Sequence, residues 1–139
     1  MLQQWDTSCG AAALATVLTY TLHDPVSEKT VARGMLQRTD VLRVKVRGGF
    51  SLLDMKRYAE SRGHAAAGYR DLSLEELAAM RSPIVVIAEY GDPHFVVVRR
   101  IADGRVHLAD PAFGNRSLPV KRFREAWKGG IGLVVTSGK

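Results

Sequence analysis

His94-Phe95-Val96-Val97-Val98-Arg99-Arg100-Ile101-Ala102-Asp103-Gly104-Arg105-Val106-His107-Leu108-Ala109-Asp110 is the stretch on which the fold of this 139-residue chain turns. Phe95–Ile101, rich in β-branched residues, and Arg105–Ala109, read as a further strand, flank Asp103-Gly104, a pair that favours a two-residue hairpin turn. Strands joined there run antiparallel. His94, at the mouth of the first strand, and Asp110, at the end of the second, then fall at the same end of the sheet. Their registers are close enough for a carboxylate–imidazole contact.

Strands continue on both sides. Ile84–Ala88 is a β-branched run after Pro83, and Ile131–Thr136 is a final strand. Val120–Trp127 between them reads as a short helix. The first half of the chain changes period. From Cys9 to about Tyr20, Leu14, Val17 and Leu18 fall at helical spacing among small alanines, with Thr7 or Ser8 as the cap. A second helix is expected over Ser27–Arg38. A third covers Ser51–Arg62, with Ser51 and Asp54 spaced as a capping box and Gly63 as the stop. A fourth covers Ser73–Met80, with Ser73 and Glu76 as its box. Helices first and antiparallel strands second predict an α+β fold of one domain over residues 1–139, with an N-terminal helical lobe packed on a C-terminal antiparallel sheet. Arg38–Gly49 has no clean pattern. Its Arg43, Lys45 and Arg47 would line one face of an extended strand, which reads as a solvated loop or an edge strand guarded by charge, the alternative being the flank of a groove that attracts an acidic peptide.

Composition narrows the chemistry. A content of 46% hydrophobic residues is enough for a core without disulfides or metal. A single cysteine excludes an intrachain disulfide and a cysteine-based zinc site, and leaves the compartment open. The net charge of +6 favours anionic partners. Nucleic acid is not expected among them: no binding motif is present, and 7% aromatic residues offer no obvious stacking platform. No apolar run approaches the roughly 20 residues a membrane helix needs. The first residues do not read as a signal peptide. The chemistry-bearing residues begin within ten positions of the first, so an upstream segment carrying a signal or anchor is expected.

Cys9 stands at the expected start of the first helix, where free N–H groups and the positive end of the dipole favour a thiolate, the nucleophilic form. Gly10 beside it would let a substrate backbone approach. His94, anchored at a strand mouth with its ring near the surface, suits a general base. Asp110 would fix its tautomer and stabilise the imidazolium. Gln3, six residues before the cysteine, could donate to an oxyanion together with the Cys9 N–H. Gln4 is the competing candidate, and spacing alone does not choose. His23, His64 and His107 lack comparable surroundings and read as structural.

The order Gln, Cys at a helix start, His 85 residues on and Asp 16 later resembles papain-like cysteine peptidases. It resembles more closely the bacteriocin-processing, double-glycine leader peptidases. The stretches that carry the resemblance are Gln3-Gln4-Trp5-Asp6-Thr7-Ser8-Cys9-Gly10-Ala11-Ala12, Gly49-Phe50-Ser51-Leu52-Leu53, His94-Phe95-Val96-Val97-Val98 and Asp110-Pro111-Ala112-Phe113-Gly114. Phe123–Trp127 with Gly129-Gly130 is similar to the family's ending. Ser8 departs from the aspartate usual before the cysteine, which bears on the shape of the helix start and not on a catalytic group.

The resemblance implies Gln3 as oxyanion residue, Cys9 as nucleophile, His94 as base and Asp110 as orienter, with no metal or organic cofactor. It implies cleavage of a leader or secreted polypeptide after a pair of small residues, Gly-Gly in type. The implied partners are that peptide or protein substrate and a secretion or transporter complex. Membrane association would come through a segment outside this chain. With no transporter sequence following, the chain is similar to stand-alone members that accompany periplasmic functional-amyloid secretion. A periplasmic location is therefore expected, the alternative being the cytoplasmic side of the inner membrane within an ABC exporter. The rival function is a non-catalytic peptide-binding domain of the same fold. Such domains typically lack the cysteine that this chain keeps.

Overall fold

Alternation along the second half of the chain builds a sheet with two buried faces. In the computed structural model, residues 10–37, 51–89 and 93–137 are described. Six strands, β1 (Ala65–Tyr69), β2 (Ile84–Ile87), β3 (His94–Ala102), β4 (Arg105–Asp110), β5 (Gly114–Pro119) and β6 (Trp127–Thr136), form one sheet in the order β1-β6-β2-β3-β4-β5. Every pairing is antiparallel. Ile84, Val97, Leu133 and Val135 point to one face, while Val85, Ile87, Val96, Val98, Val106, Leu108 and Leu118 point to the other, as the period of two requires.

The first face receives α1 (described over residues 10–16, continuing as a π-helical stretch Val17–Thr21), α2 (Glu28–Gln37) and α3 (Leu52–Ser61). The π stretch closes with Leu22 N–H donating to the Val17 carbonyl at 3.1 Å. Both expected capping boxes form. Ser51 Oγ accepts from Asp54 N at 3.1 Å and Asp54 Oδ2 from Ser51 N at 2.8 Å. Ser73 and Glu76 do the same at the start of α4 (Leu74–Ala78). Helices α2 and α3 approach so closely that a Cβ on Gly34 would lie 2.1 Å from the Tyr58 ring, so only glycine fits there.

The second face is covered by α4 and α5 (Val120–Ala126), through Leu77, Phe123 and Ala126. The sheet is thus sandwiched. The α+β class and the helical lobe on an antiparallel sheet hold, but the fourth expected helix lies on the opposite face from the first three. Its single apolar turn suffices to cap the strand residues of that face.

The hairpin at Asp103-Gly104 forms as the sequence predicts, with φ of +55° and +72°, both in the left-handed region that a two-residue turn of this hand requires. Two strands fall outside those expected. Ala65–Tyr69 is alanine-rich and largely exposed, and β5 carries Gly, Asn, Arg and Ser. Both are edge strands ordered by the partner they pair with rather than by propensity. Strand β6 also begins earlier than expected, at Trp127. The Arg38–Gly49 segment, with Arg43, Lys45 and Arg47, lies outside the described residues.

A buried-edge ion cluster ties the helical lobe to the sheet. Arg62 grips the Asp24 carboxylate at 2.8 and 2.6 Å, and His64 Nε2 lies 2.8 Å from the same group. The Arg62 hydrogen bonds hold the Asp24 carboxyl well below the usual range against the opposing effect of burial, and His64 adds to them. His64, read as structural, is so placed. No helix among the described residues is long and apolar enough to cross a membrane.

Candidate active site

The strand register brings His94 and Asp110 together. Val97 pairs with Ala109, so Val96 stands beside Asp110, and His94 is the next residue along that face. His94 Nε2 lies 3.2 Å from Asp110 Oδ2. The His94 side chain keeps 19% of its exposure, and that of Asp110 keeps none. The imidazole is accessible and its carboxylate partner is dry, as a rigid orienting contact needs. With Nε2–H donated to the aspartate, Nδ1 is the nitrogen that remains to accept a proton.

The start of α1 packs against the same strand. Gly10 is buried, and a Cβ built on it would meet Met55 Sδ at 3.4 Å and the Phe95 ring at 3.5 Å. Its missing side chain leaves room for Met55 and the Phe95 ring. Cys9, bonded to Gly10, lies outside the described residues, as do Gln3 and Gln4. Of the four expected site residues, the structure brings His94 and Asp110 together.

It also brings two residues that sequence reasoning missed. Arg116 of β5 donates to Asp110 Oδ2 from Nε at 3.1 Å and from Nη2 at 2.8 Å. The same guanidinium pairs with Glu89, two residues beyond β2, through Nη2 and through Nη1 at 3.2 Å. Asp110 Oδ1 accepts from Ala112 N at 2.8 Å. Burial works to raise the Asp110 carboxyl, but the Ala112 amide, Arg116 and His94 outweigh it and hold it below the ordinary value. Glu89 is also lowered, chiefly by its hydrogen bonds to Arg116. Arg116 itself is raised, first by Glu89 and then by Asp110. The signal that could have found Arg116 is its position two residues before Leu118 on a strand opposite Leu108, legible only once 114–119 is taken as a strand.

Glu89, His94 and Asp110 each place one ligand-type atom within 4.8 Å of the others. The Arg116 guanidinium already donates to both carboxylates, so a metal ion would compete with a fixed cation for the same oxygens. The arrangement suits proton transfer at an imidazole better than metal binding. A groove of about 600 Å³ opens beside Asp110 along α1, with Thr16, Tyr20, Arg99, Arg100 and Asn115 in its walls. Phe113, 67% exposed at the turn after Asp110, rests on Arg116 with the guanidinium carbon 5.3 Å from its ring centre.

Known proteins share both the sequence and this architecture. Residues 1–139 match the peptidase C39 family. The chain is 41% identical over 137 residues to a protein of Pseudomonas aeruginosa described as a probable functional amyloid protease, FapD, which covers 98% of this chain and 60% of that protein. It is 42% identical over 137 residues to the protein of the same description from Pseudomonas fluorescens, with the same coverage. The chain therefore spans about 60% of the length of these curated relatives. Among solved structures, a double-glycine motif protease from an AMS/PCAT transporter, in complex with its leader peptide, matches with a TM-score of 0.74 at 27% identity, over 93% of this chain and 84% of that one. The peptidase domain of Streptococcus ComA, a bifunctional ABC transporter, shares the fold with a TM-score of 0.70 at 18% identity, over 94% and 91% of the two chains. The chain belongs to the peptidase C39 family, as a cysteine peptidase domain of papain-like fold.

Proposed function

We propose that this domain is a cysteine endopeptidase that cleaves a leader or secreted polypeptide after a pair of very small residues, Gly-Gly in type, through Cys9, His94 and Asp110. The observation that carries the reading is the 3.2 Å contact between His94 Nε2 and the fully buried Asp110 carboxylate, at the strand mouth against which the start of α1 packs. The Cys9 thiolate attacks the scissile carbonyl. The Cys9 N–H and the Gln3 side-chain amide stabilise the oxyanion. His94 protonates the leaving amine and then draws a proton from water, which hydrolyses the thioester. Asp110 holds the ring and stabilises its cationic form. No metal or organic cofactor takes part.

The same reading makes the domain serve the maturation or secretion of an exported protein, on the periplasmic side of the membrane. The description of the Pseudomonas relatives as probable functional amyloid proteases supports the role in maturation, and the amyloid subunit or a companion of its secretion machinery is the natural class of substrate. Glycine selectivity would follow from a channel to the thiolate too narrow for a Cβ, with Phe95 and Trp5 as candidate walls. The rest of the substrate chain would supply affinity, and the groove beside Asp110 is large enough to hold several of its residues.

A peptide series tests the reading. Mass spectrometry should find cleavage directly after Gly-Gly in a leader peptide, none with Cys9→Ala, and a steep loss when either glycine becomes valine. Removing upstream residues should mainly raise KM. Equal cleavage of Gly-Gly and Val-Val peptides would refute the narrow channel, and cleavage by Cys9→Ala would refute the mechanism.

A further inference from the structure

Four consecutive strands of the sheet each deliver one charged or titratable side chain to the same corner. Glu89 follows β2, His94 opens β3, Asp110 closes β4 and Arg116 lies in β5. Their positions are two residues away from Ile87, Val96, Leu108 and Leu118, which all lie in the core on one face of the sheet. The corner thus reads Glu89, Arg116, Asp110, His94, with charges alternating in sign up to the imidazole. Side-chain exposure is 5% for Glu89, 24% for Arg116 and none for Asp110, so each charge depends on its neighbours for compensation. His94 and Arg122 add weaker pulls on Glu89.

The hydrogen bonds divide the work. Asp110 Oδ1 is fixed by the Ala112 amide. Oδ2, the oxygen that faces His94, receives both Nε and Nη2 of Arg116. A carboxylate held by one amide can still swing about its own bonds. Two donors from a planar guanidinium fix the orientation of Oδ2. Two of its remaining three N–H donors go to Glu89, one from Nη1 and one from Nη2, which opposes rotation of the guanidinium.

Resting on the peptidase reading, we propose that Arg116, braced by Glu89, is a positioning residue that holds Asp110 Oδ2 against the His94 ring. Lysine at this position keeps the charge but offers a point contact instead of a fork. A neutral residue leaves the Asp110 carboxylate free to turn and Glu89 buried without a partner.

The test is kcat and KM on a Gly-Gly peptide for folded Arg116→Gln, Arg116→Lys and Glu89→Gln, each alone and with Asp110→Asn. The rate of Cys9 alkylation by iodoacetamide is read in parallel. Arg116→Gln should lower kcat by about 10- to 100-fold, the scale of a small misplacement of a catalytic group, with KM within about twofold. Arg116→Lys should recover part of the loss. In the Asp110→Asn background Arg116→Gln should cost nothing further, because the residue acts through the carboxylate. Glu89→Gln should give the same pattern more weakly, and it serves if Arg116→Gln does not fold. Unchanged kcat in a folded variant, or losses that multiply with Asp110→Asn, would overturn the assignment while leaving the peptidase reading intact. If the wild-type protein cleaves no such peptide, the alkylation rate decides. A fall in Arg116→Gln equal to that in Asp110→Asn sustains the positioning role, and an unchanged rate removes it.

Discussion

The Phe95 ring packs against the backbone of Gly10, 3.5 Å from where a Cβ on that residue would stand. Cys9 is bonded to Gly10 and His94 to Phe95, so this contact ties together the two chain segments that carry the proposed nucleophile and base. Truncating the ring should therefore damage catalysis beyond its effect on stability. We expect Phe95→Ala to cost about 2 kcal/mol, below the roughly 3–5 kcal/mol of a fully buried phenylalanine because the ring is only partly buried. Its kcat should fall well below what the loss of folded protein explains, and Phe95→Leu should recover most of it. Urea unfolding and steady-state kinetics on the same samples check this. Full kcat in folded Phe95→Ala would show that the contact does not set the site.

The site variants should rank by chemical role. His94→Ala should abolish turnover, because the residue moves protons. Asp110→Asn should be damaging but less complete, because the aspartate orients and stabilises. Gln3→Ala should lower kcat by about 10- to 1,000-fold, the scale of one oxyanion donor. Should Gln4→Ala carry that loss and Gln3→Ala be silent, the oxyanion donor is Gln4.

The Asp24–Arg62–His64 cluster predicts a pH dependence of stability. The folded Asp24 carboxyl is lowered, first by its hydrogen bonds to Arg62. Its contribution is therefore fully present above the ordinary aspartate pKa of about 4 and is lost as pH falls through the lower folded value. Asp24→Asn should cost about 1–3 kcal/mol near pH 7, and its difference from the native protein should shrink steadily below about pH 4. A difference that grew with acid would contradict the assignment.

Gly34 and Tyr58 form a coupled pair. A Cβ on Gly34 would overlap the Tyr58 ring at 2.1 Å, so Gly34→Ala should destabilise by about 1–3 kcal/mol through overpacking. In a Tyr58→Ala background the same change should cost little, since the ring it strikes is gone. A double-mutant cycle by urea unfolding reads the coupling, and strict additivity would refute it.

Much of this architecture was legible in the chain because local and global signals agree. Ser51 with Asp54 and Ser73 with Glu76 mark their helix starts by spacing alone, and both boxes form with all four hydrogen bonds in place. Asp103-Gly104 fixes the hairpin, but its register alone would put His94 and Asp110 on opposite faces; a bulge between Val98 and Arg100 shifts it by one residue and brings the two together. The two edge strands were illegible because their residues have no strand propensity of their own. Ala65–Tyr69 is ordered by pairing with β6, and Gly114–Pro119 by pairing with β4. Missing the second hid Arg116, whose role depends on a cross-strand neighbour and not on any neighbour in sequence. Glu89 was hidden for the same reason, since its partner lies 27 residues away. The side of the sheet taken by α4 was likewise open, because a single short apolar turn fits either face.

The most direct test of the Cys9–His94–Asp110 assignment needs no knowledge of the substrate. It is the rate of Cys9 alkylation by iodoacetamide near neutral pH, followed by intact mass, in the native protein and in folded His94→Ala and Asp110→Asn. A helix start and a paired imidazole favour the thiolate, so the native protein should react faster than a free cysteine peptide. The rate should fall strongly in His94→Ala and less in Asp110→Asn. A Cys9 that reacts only after denaturation, or at the same rate in all three proteins, would contradict the account.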